Sequence, residues 1–297
     1  MPRLRAARCL ALLLGFLLTI VPPGPAQEPP QIDWQDGPTE GELGDVARIK
    51  IPQGYRFTGK AGTQKFMDMT QNPTSGRELG IIVPASENNE DFWFVIFEFD
   101  DIGFVKDDEK DKLDADDILG SIREGTEAAN EVRKERGWPT MEVVGWQKPP
   151  YYDSRTNNLT WAIRGRSTAS QGESINYSVR LLGRRGAMSV DLVMSPQQAT
   201  AVVPQYEALV SGFTYNQGQT YADFKSGDKM AAFGLAALVA GGAGAVALKT
   251  GILQKFWKLI VAAFVALAAA LKKIFKMISG RGETTISHDQ APTPPTA

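Results

Sequence analysis

The stretch INYSVRLLGRRGAMSVDLVM, residues 175–194, decides the fold. It holds two apolar-rich runs, Ile175–Leu182 and Ala187–Met194, separated by a short polar turn at residues 184–186. Two such runs joined by a turn that contains glycine predict a β-hairpin of antiparallel strands. Apolar and polar side chains alternate from Tyr177 to Leu181, which predicts that one face of the first strand is exposed to water.

The segments before this hairpin are also typical of strands. Phe92–Phe99 is apolar at almost every position, which predicts a central strand buried on both faces. Met141–Gln147 and Leu159–Gly165 predict two more strands, with Pro149–Asp153 as a loop between them. Shorter strands are predicted at residues 46–51, 55–58 and 79–83.

A helix is predicted between the early and the late strands. Asp114 is typical of an N-cap residue, and further acidic side chains follow in the first turn. The helix is predicted to run to about Arg136, where Gly137 and Pro139 end it. The side chains expected to face the core are Ile118, Ile122 and Val132.

A second helix follows the hairpin. Ser195–Gln198 has the pattern of a capping box with proline at the first helical position, and Pro204 is predicted to kink or split the helix. Its apolar face comprises Ala199, Val202, Val203, Tyr206, Leu209, Val210 and Phe213. The order of elements predicts an α+β domain over residues 27–228, a mainly antiparallel sheet with helices packed on one side, followed by C-terminal membrane helices.

The N-terminus has the three parts of a secretory signal peptide, predicted over residues 1–26. Three arginines precede the unbroken apolar run Cys9–Val21, and small residues at Gly24 and Ala26 fit a cleavage site. A run of 13 residues is too short to span about 30 Å of hydrocarbon, although an uncleaved N-terminal anchor remains the alternative. Cleavage would leave a mature chain without cysteine, and therefore without disulfides or thiolate sites.

A transmembrane helix is predicted over residues 229–249. Ala231–Leu248 carries no charge, although its eight alanines and four glycines make it weakly hydrophobic, and a buried soluble helix is the alternative. Small residues four apart, such as Ala237 and Gly241, form a ridge that suits close contact with another helix, including a second copy of this chain.

Residues 250–280 predict either a basic amphipathic helix at the membrane surface or a second transmembrane helix. The candidate membrane-surface residues lie within one arc of the helix, namely Lys255, Lys258, Lys272, Lys273 and Lys276. The positive-inside rule favours the surface helix, because two crossings would place four of the basic residues outside. Residues 281–297 predict a disordered tail.

Charge and composition exclude several classes of function. Residues 28–248 carry a net charge of −10, so nucleic acid is not an expected partner, whereas residues 249–297 carry +5 and suit an anionic lipid bilayer. The only histidine, His288, lies in the tail, which excludes histidine-based catalysis and histidine metal sites. The acidic stretch Phe104–Asp117 lacks the glycine and glutamate of a calcium loop. No cofactor, metal or catalytic residue is predicted.

Two groups of residues remain as weak binding candidates. Glu98, Asp100 and Asp101 lie at the end of the predicted central strand, near Lys106. Buried carboxylates there could support a hydrolase, although solvated residues at a strand end are the more common arrangement. The tryptophans and the pair Tyr151-Tyr152 are numerous enough for a binding groove, although such residues more often pack in cores.

Several separated motifs resemble a family of uncharacterised membrane-anchored proteins from Gram-negative bacteria. The motifs are IPQGYRF from Ile51, WFVIFEFDDIGFVKDDEK from Trp93, LDADDIL from Leu113, NYSVRLLGRRG from Asn176 and YADFKSGDKMAAFGLAALVAGGAGAVALKTG from Tyr221. The resemblance implies an exported domain of unknown function with C-terminal membrane segments. The strand-rich order ending in a helix also resembles the fold shared by photosystem II extrinsic proteins and nuclear-import cofactors.

The sequence therefore favours a non-enzymatic binding or scaffold module at the bacterial inner membrane, with residues 27–228 in the periplasm. Its expected partners are the lipid bilayer and a membrane or periplasmic protein. A carboxylate-dependent periplasmic hydrolase is the alternative.

Overall fold

The computed structural model describes residues 31–86, 92–169 and 172–241. The chain divides into two units, residues 1–249 and 250–297, and every described residue belongs to the first. The predicted signal peptide, the lysine-bearing segment 250–280 and the tail 281–297 therefore lie outside the described residues, as do residues 242–249 of the predicted transmembrane helix.

The described residues form eleven strands and four α-helices. The strands are β1 (Gln35–Asp36), β2 (Thr39–Leu43), β3 (Ala47–Ile51), β4 (Tyr55–Gly59), β5 (Glu78–Pro84), β6 (Phe94–Asp100), β7 (Met141–Asp153), β8 (Asn158–Ser167), β9 (Glu173–Leu182), β10 (Ala187–Met194) and β11 (Phe213–Tyr215). The helices are α1 (Lys60–Met69), α2 (Ala115–Glu135), α3 (Ala199–Ser211) and α4 (Leu235–Val239).

The strands form one large and one small antiparallel sheet. The large sheet has the order β1-β4-β5-β6-β10-β9-β8-β7, and the small sheet has the order β11-β3-β2. The predicted hairpin is confirmed as β9 and β10, with Val179 opposite Val190. The predicted central strand is confirmed as β6, which lies between β5 and β10.

Both faces of the large sheet are covered. Helices α1, α2 and α4 pack on one face, here called the helical face, against apolar side chains that include Ile96, Trp161 and Val193. Helix α3 and the small sheet pack on the opposite face, against side chains that include Val190 and Leu192. The α+β class and the mainly antiparallel sheet with packed helices are confirmed, and α3 lies apart from the other helices.

The prediction of a water-exposed face on β9 is wrong. Ser174, Asn176 and Ser178 are all buried. In the sheet, β9 lies between β8, which packs against α2, and β10, which packs against α1. The polar side chains at every second position of β9 therefore form a buried polar layer. They do not form the solvent-exposed face that was expected.

Helix α2 begins as predicted, because the Asp114 carboxylate accepts a hydrogen bond from the backbone N–H of Asp117 at 3.0 Å. Ile118 and Ile122 are buried, as expected. Val132 is only half-buried, however, and its neighbour Arg133 is buried in its place. The last turn of α2 therefore presents a charged side chain to the interior.

One prediction about proline is wrong, and one of the two alternatives in a second is excluded. Residues 149–153 belong to β7 and form no loop, because β7 is an edge strand whose register with β8 shifts between Lys148 and Tyr151. A proline at such a shift removes no hydrogen bond that the sheet needs. Pro204 does not split α3, which is continuous from Ala199 to Ser211, and the alternative of a kink stays a prediction.

The described part of the predicted transmembrane helix, residues 229–241, contains only the five-residue helix α4. Leu235, Leu238 and Val239 are buried in a cluster that includes Ile118 and Ile122 of α2. Within residues 31–86, 92–169 and 172–241, no helix is long and apolar enough to cross a membrane. The transmembrane helix at residues 229–249 stays a prediction.

Candidate functional site

The predicted carboxylates separate into a half-buried pair, Glu98 and Asp100, and an exposed residue, Asp101. Glu98 and Asp100 are two positions apart on β6, so both point to the helical face, where Arg77 lies between them. Arg77 Nη2 is 3.7 Å from Glu98 Oε2, and Arg77 Nη1 contacts Asp100 Oδ1. Asp101 is largely exposed and lies 4.0 Å from Arg185, and Lys106 is exposed.

This pair belongs to a larger group, the ion-pair cluster, which comprises Ser75, Arg77, Glu78, Glu98, Asp100, Arg180, Ser189 and Asp191. The Ser75 hydroxyl donates to Glu98 Oε1 at 2.7 Å and lies 3.0 Å from Glu78 Oε1. The second ion pair joins Arg180 Nη1 to Asp191 Oδ1 at 2.9 Å, and the Ser189 hydroxyl lies 3.4 Å from Asp100 Oδ2.

The surroundings of Glu98 disfavour its charged form. Burial raises the pKa of Glu98 to about 7, against the opposing effects of Arg77 and the Ser75 hydroxyl, and the charges of Glu78 and Asp191 raise it further. Glu98 therefore exchanges a proton near neutral pH. The hydrolase hypothesis needs carboxylates that face a substrate, whereas the side chains of Glu98 and Asp100 are only 18% and 14% exposed and both contact Arg77.

The Glu98→Gln variant is expected to remove a pH-dependent part of the stability. Because the pKa in the folded state is about 7, against an ordinary value of 4.5, the folded chain binds this proton more tightly than the unfolded chain. The contribution is complete below pH 4.5 and is lost as the pH rises through 7, a change of up to about 3 kcal/mol at about 1.4 kcal/mol for each pKa unit.

Urea unfolding between pH 4.5 and 8 measures this effect. The free energy of unfolding should fall less steeply with rising pH in Glu98→Gln than in the parent chain. The exposed Glu124 on α2 provides a matched control, because Glu124→Gln should leave the slope unchanged. Parallel slopes for Glu98→Gln and the parent chain would contradict the raised pKa.

The opposite face of the large sheet carries an open cleft of about 690 Å³, here called the tyrosine cleft. Strands β7, β8 and β9, helix α3 and the segment that follows it provide its walls. Its aromatic lining consists of Phe213 and five tyrosines, Tyr151, Tyr177, Tyr206, Tyr215 and Tyr221. Uncharged hydroxyl and amide groups accompany them, from Thr156, Asn157, Asn158, Thr160, Ser211 and Thr220. A cleft of this volume is within the range that proteins use to bind small molecules or short polymer segments.

Most of the cleft tyrosines are fixed by their hydroxyl groups. Tyr206 donates to the backbone carbonyl of Val190 at 2.8 Å, and Tyr221 donates to that of Val105 at 2.9 Å. Tyr215 donates to the carbonyl of Leu181 at 2.6 Å. Burial raises the pKa of Tyr206, Tyr215 and Tyr221 above the ordinary value, so all three stay neutral and serve as fixed walls.

Tyr151 differs from the other cleft tyrosines because 60% of its surface is exposed. It lies on the edge strand β7, just after the two prolines. Nearby, Lys148 Nζ donates to the Tyr177 hydroxyl at 2.9 Å. The cleft therefore combines fixed aromatic walls, one exposed ring and one lysine.

Of the aromatic residues that suggested a groove, Tyr151 lines the cleft, and its role in binding stays a prediction. Its neighbour Tyr152 points to the helical face and is buried, as is Trp161. Trp93 is buried in the core beneath α3. The other cleft tyrosines carry no local signal, because they come together only through the pairing of strands and the packing of α3.

One solved structure similar to the chain is the solution structure of cyanobacterial PsbP (CyanoP) from Synechocystis sp. PCC 6803. It is 12% identical with a TM-score of 0.37, and the match covers 65% of this chain and 98% of that chain. A similarity at this level shows neither a ligand nor an activity. No curated protein matches the chain.

A family profile matches residues 35–272, a range that includes all eleven strands and all four helices of the described residues. The match covers well over half of the chain and confirms the resemblance to an uncharacterised family. The chain belongs to the family described as protein of unknown function (DUF2167).

Proposed function

We propose that the chain is a non-enzymatic binding module of the bacterial cell envelope, and that its ligand binds in the tyrosine cleft. In this proposal residues 27–228 lie in the periplasm, and the segments after residue 228 hold the chain at the inner membrane. The observation that carries the proposal is the cleft itself, an open space of about 690 Å³ with five tyrosines in its lining.

The chemistry of the cleft supports binding without a reaction. Tyrosine offers a large, rigid contact surface at a low cost in side-chain entropy, which is why it is frequent in binding surfaces. Apart from the tyrosines, the ionisable side chains in the lining are Lys148, Asp153 and Glu207. Asp153 is held by Arg155 through contacts of 3.1 and 3.3 Å, and Lys148 is bonded to Tyr177.

Crosslinking in native membranes tests the proposal. A photoreactive amino acid in place of Glu207, an exposed residue of α3 at the cleft, should produce a specific crosslinked product. The same amino acid in place of Glu124, an exposed residue of α2 on the helical face, provides the matched control and should produce none. The full chain should stay in the membrane fraction after a high-salt wash.

Equal products from the two positions would contradict the cleft as the binding site. Release of the chain by the salt wash would contradict the membrane anchor and leave the cleft proposal standing. The two parts of the proposal therefore fail separately.

A further inference from the structure

We infer that the ligand of the tyrosine cleft is a glycan, and that its source is the glycan strand of the cell wall. The inference rests on the proposed function, which places the cleft in the periplasm, where this polymer lies within reach. Three features of the cleft carry the ligand class: its charge, the combination of aromatic and polar groups in its lining, and the paired backbone of β8 and β9 in its floor.

The charge of the cleft disfavours a strongly ionic ligand. Lys148 is balanced by Glu207, and the Asp153 carboxylate is neutralised by Arg155. A phosphate-rich polymer would require several arginines or lysines in the lining, and a cationic peptide would require unpaired carboxylates. An uncharged polar ligand matches this near-neutral lining.

The lining also matches the two-sided chemistry of a sugar ring. A pyranose ring presents C–H groups on one face and hydroxyl groups around its edge. The exposed ring of Tyr151 provides an apolar platform for the C–H face. Hydroxyl and amide groups beside it, such as those of Asn158 and Thr160, provide donors and acceptors for the edge.

The backbone of the cleft floor disfavours a peptide. An extended peptide binds most readily to a free strand edge, where it adds hydrogen bonds to the sheet. Strands β8 and β9 of the floor have no such edge, because β8 is paired with both β7 and β9, and β9 is paired with both β8 and β10, whereas β7 at the rim is the edge strand of the sheet. Recognition over β8 and β9 therefore depends on side chains, as it does for a glycan, and a peptide could add to the sheet only along the outer edge of β7.

The expected result is saturable binding of chitotetraose, a soluble probe with the N-acetylated sugars of the cell-wall strand, to the full chain in detergent. Tyr151→Ala should weaken this binding about tenfold or more, because the ring that stacks on the sugar is lost. Tyr151→Trp should stay within about threefold of the parent chain, since the aromatic platform is kept. The exposed Arg123→Ala on α2 is the off-cleft control, and melting temperatures show whether each variant is folded.

The possible failures are distinguishable. Absence of saturable chitotetraose binding, or a Tyr151→Ala affinity equal to that of the parent chain, would overturn the inference. Equal affinity for maltotetraose, which lacks N-acetyl groups, would overturn the assignment to the cell wall. If a protein is crosslinked from position 207 and no glycan binds, the inference of a glycan ligand is wrong. The proposal that the chain is a binding module then still stands.

Discussion

Replacement of Arg180 by methionine is expected to lower the free energy of unfolding by about 3–5 kcal/mol. The guanidinium lies 2.9 Å from Asp191, and the two side chains are only 14% and 12% exposed. It also lies over the Trp161 ring at 4.7 Å. The Arg180→Met variant keeps most of the apolar contact but leaves the Asp191 carboxylate buried without its counter-ion, and an uncompensated buried charge is costly.

A double-mutant cycle measured by urea unfolding separates the lost pair from lost packing. The variant Arg180→Met with Asp191→Leu should recover much of the stability, because no charge is then stranded. Arg166 and Glu173, a more exposed pair with a contact of 2.8 Å, provide the matched control, and Arg166→Met should cost less than about 1 kcal/mol. Equal losses for Arg180→Met and Arg166→Met would show that the buried pair has no special role.

The elements of this fold were predictable where the chain contains its own local signals. The two halves of the β9–β10 hairpin and their turn are contiguous, so pattern and turn chemistry point to the same structure. The start of α2 is equally local, because Asp114 and Asp117 form the cap between themselves. Such features depend on residues a few positions apart.

The ion-pair cluster was only half predictable for the same reason. Glu98 and Asp100 were recognisable as acids at the end of a buried strand, and Lys106 was their nearest basic candidate in the sequence. Their partner in the structure is Arg77, which the pairing of β5 with β6 brings to them. The environment of the polar residues in β9 was predicted wrongly. Alternating polar and apolar residues fit a solvent-exposed strand face and a buried polar layer equally well.

The tyrosine cleft could hardly be predicted from the sequence, because it depends on tertiary contacts. Its walls come from residues 148–182 and 206–222, two stretches that meet because α3 and the segment after it fold back over the sheet. Tyr177 and Tyr206 have ring centres 5.5 Å apart, yet the whole of strand β10 lies between them in the sequence. A single sequence contains no signal for that contact.

Arg133 provides the second large expected effect, because it is the most deeply buried cation that the described residues contain. The side chain is 1% exposed, and burial lowers its pKa to about 10. Its Nη1 group donates to the backbone carbonyls of Gln71 and Pro139, each at 3.2 Å. One guanidinium therefore holds together the chain after α1, the end of α2 and the start of β7.

Arg133→Met is expected to lower the free energy of unfolding by about 3 kcal/mol, because methionine fills much of the volume but removes the donor that two part-buried carbonyl groups share. Lys134→Met is the matched control, since Lys134 is the next residue along α2 and pairs with Glu131 at the exposed surface, where such pairs contribute less than about 1 kcal/mol. Amide hydrogen exchange should also quicken around residues 71 and 139 in Arg133→Met and stay unchanged in Lys134→Met. Similar stability in the two variants would mean that the carbonyls find other donors, and that Arg133 does not join the two helices to the sheet.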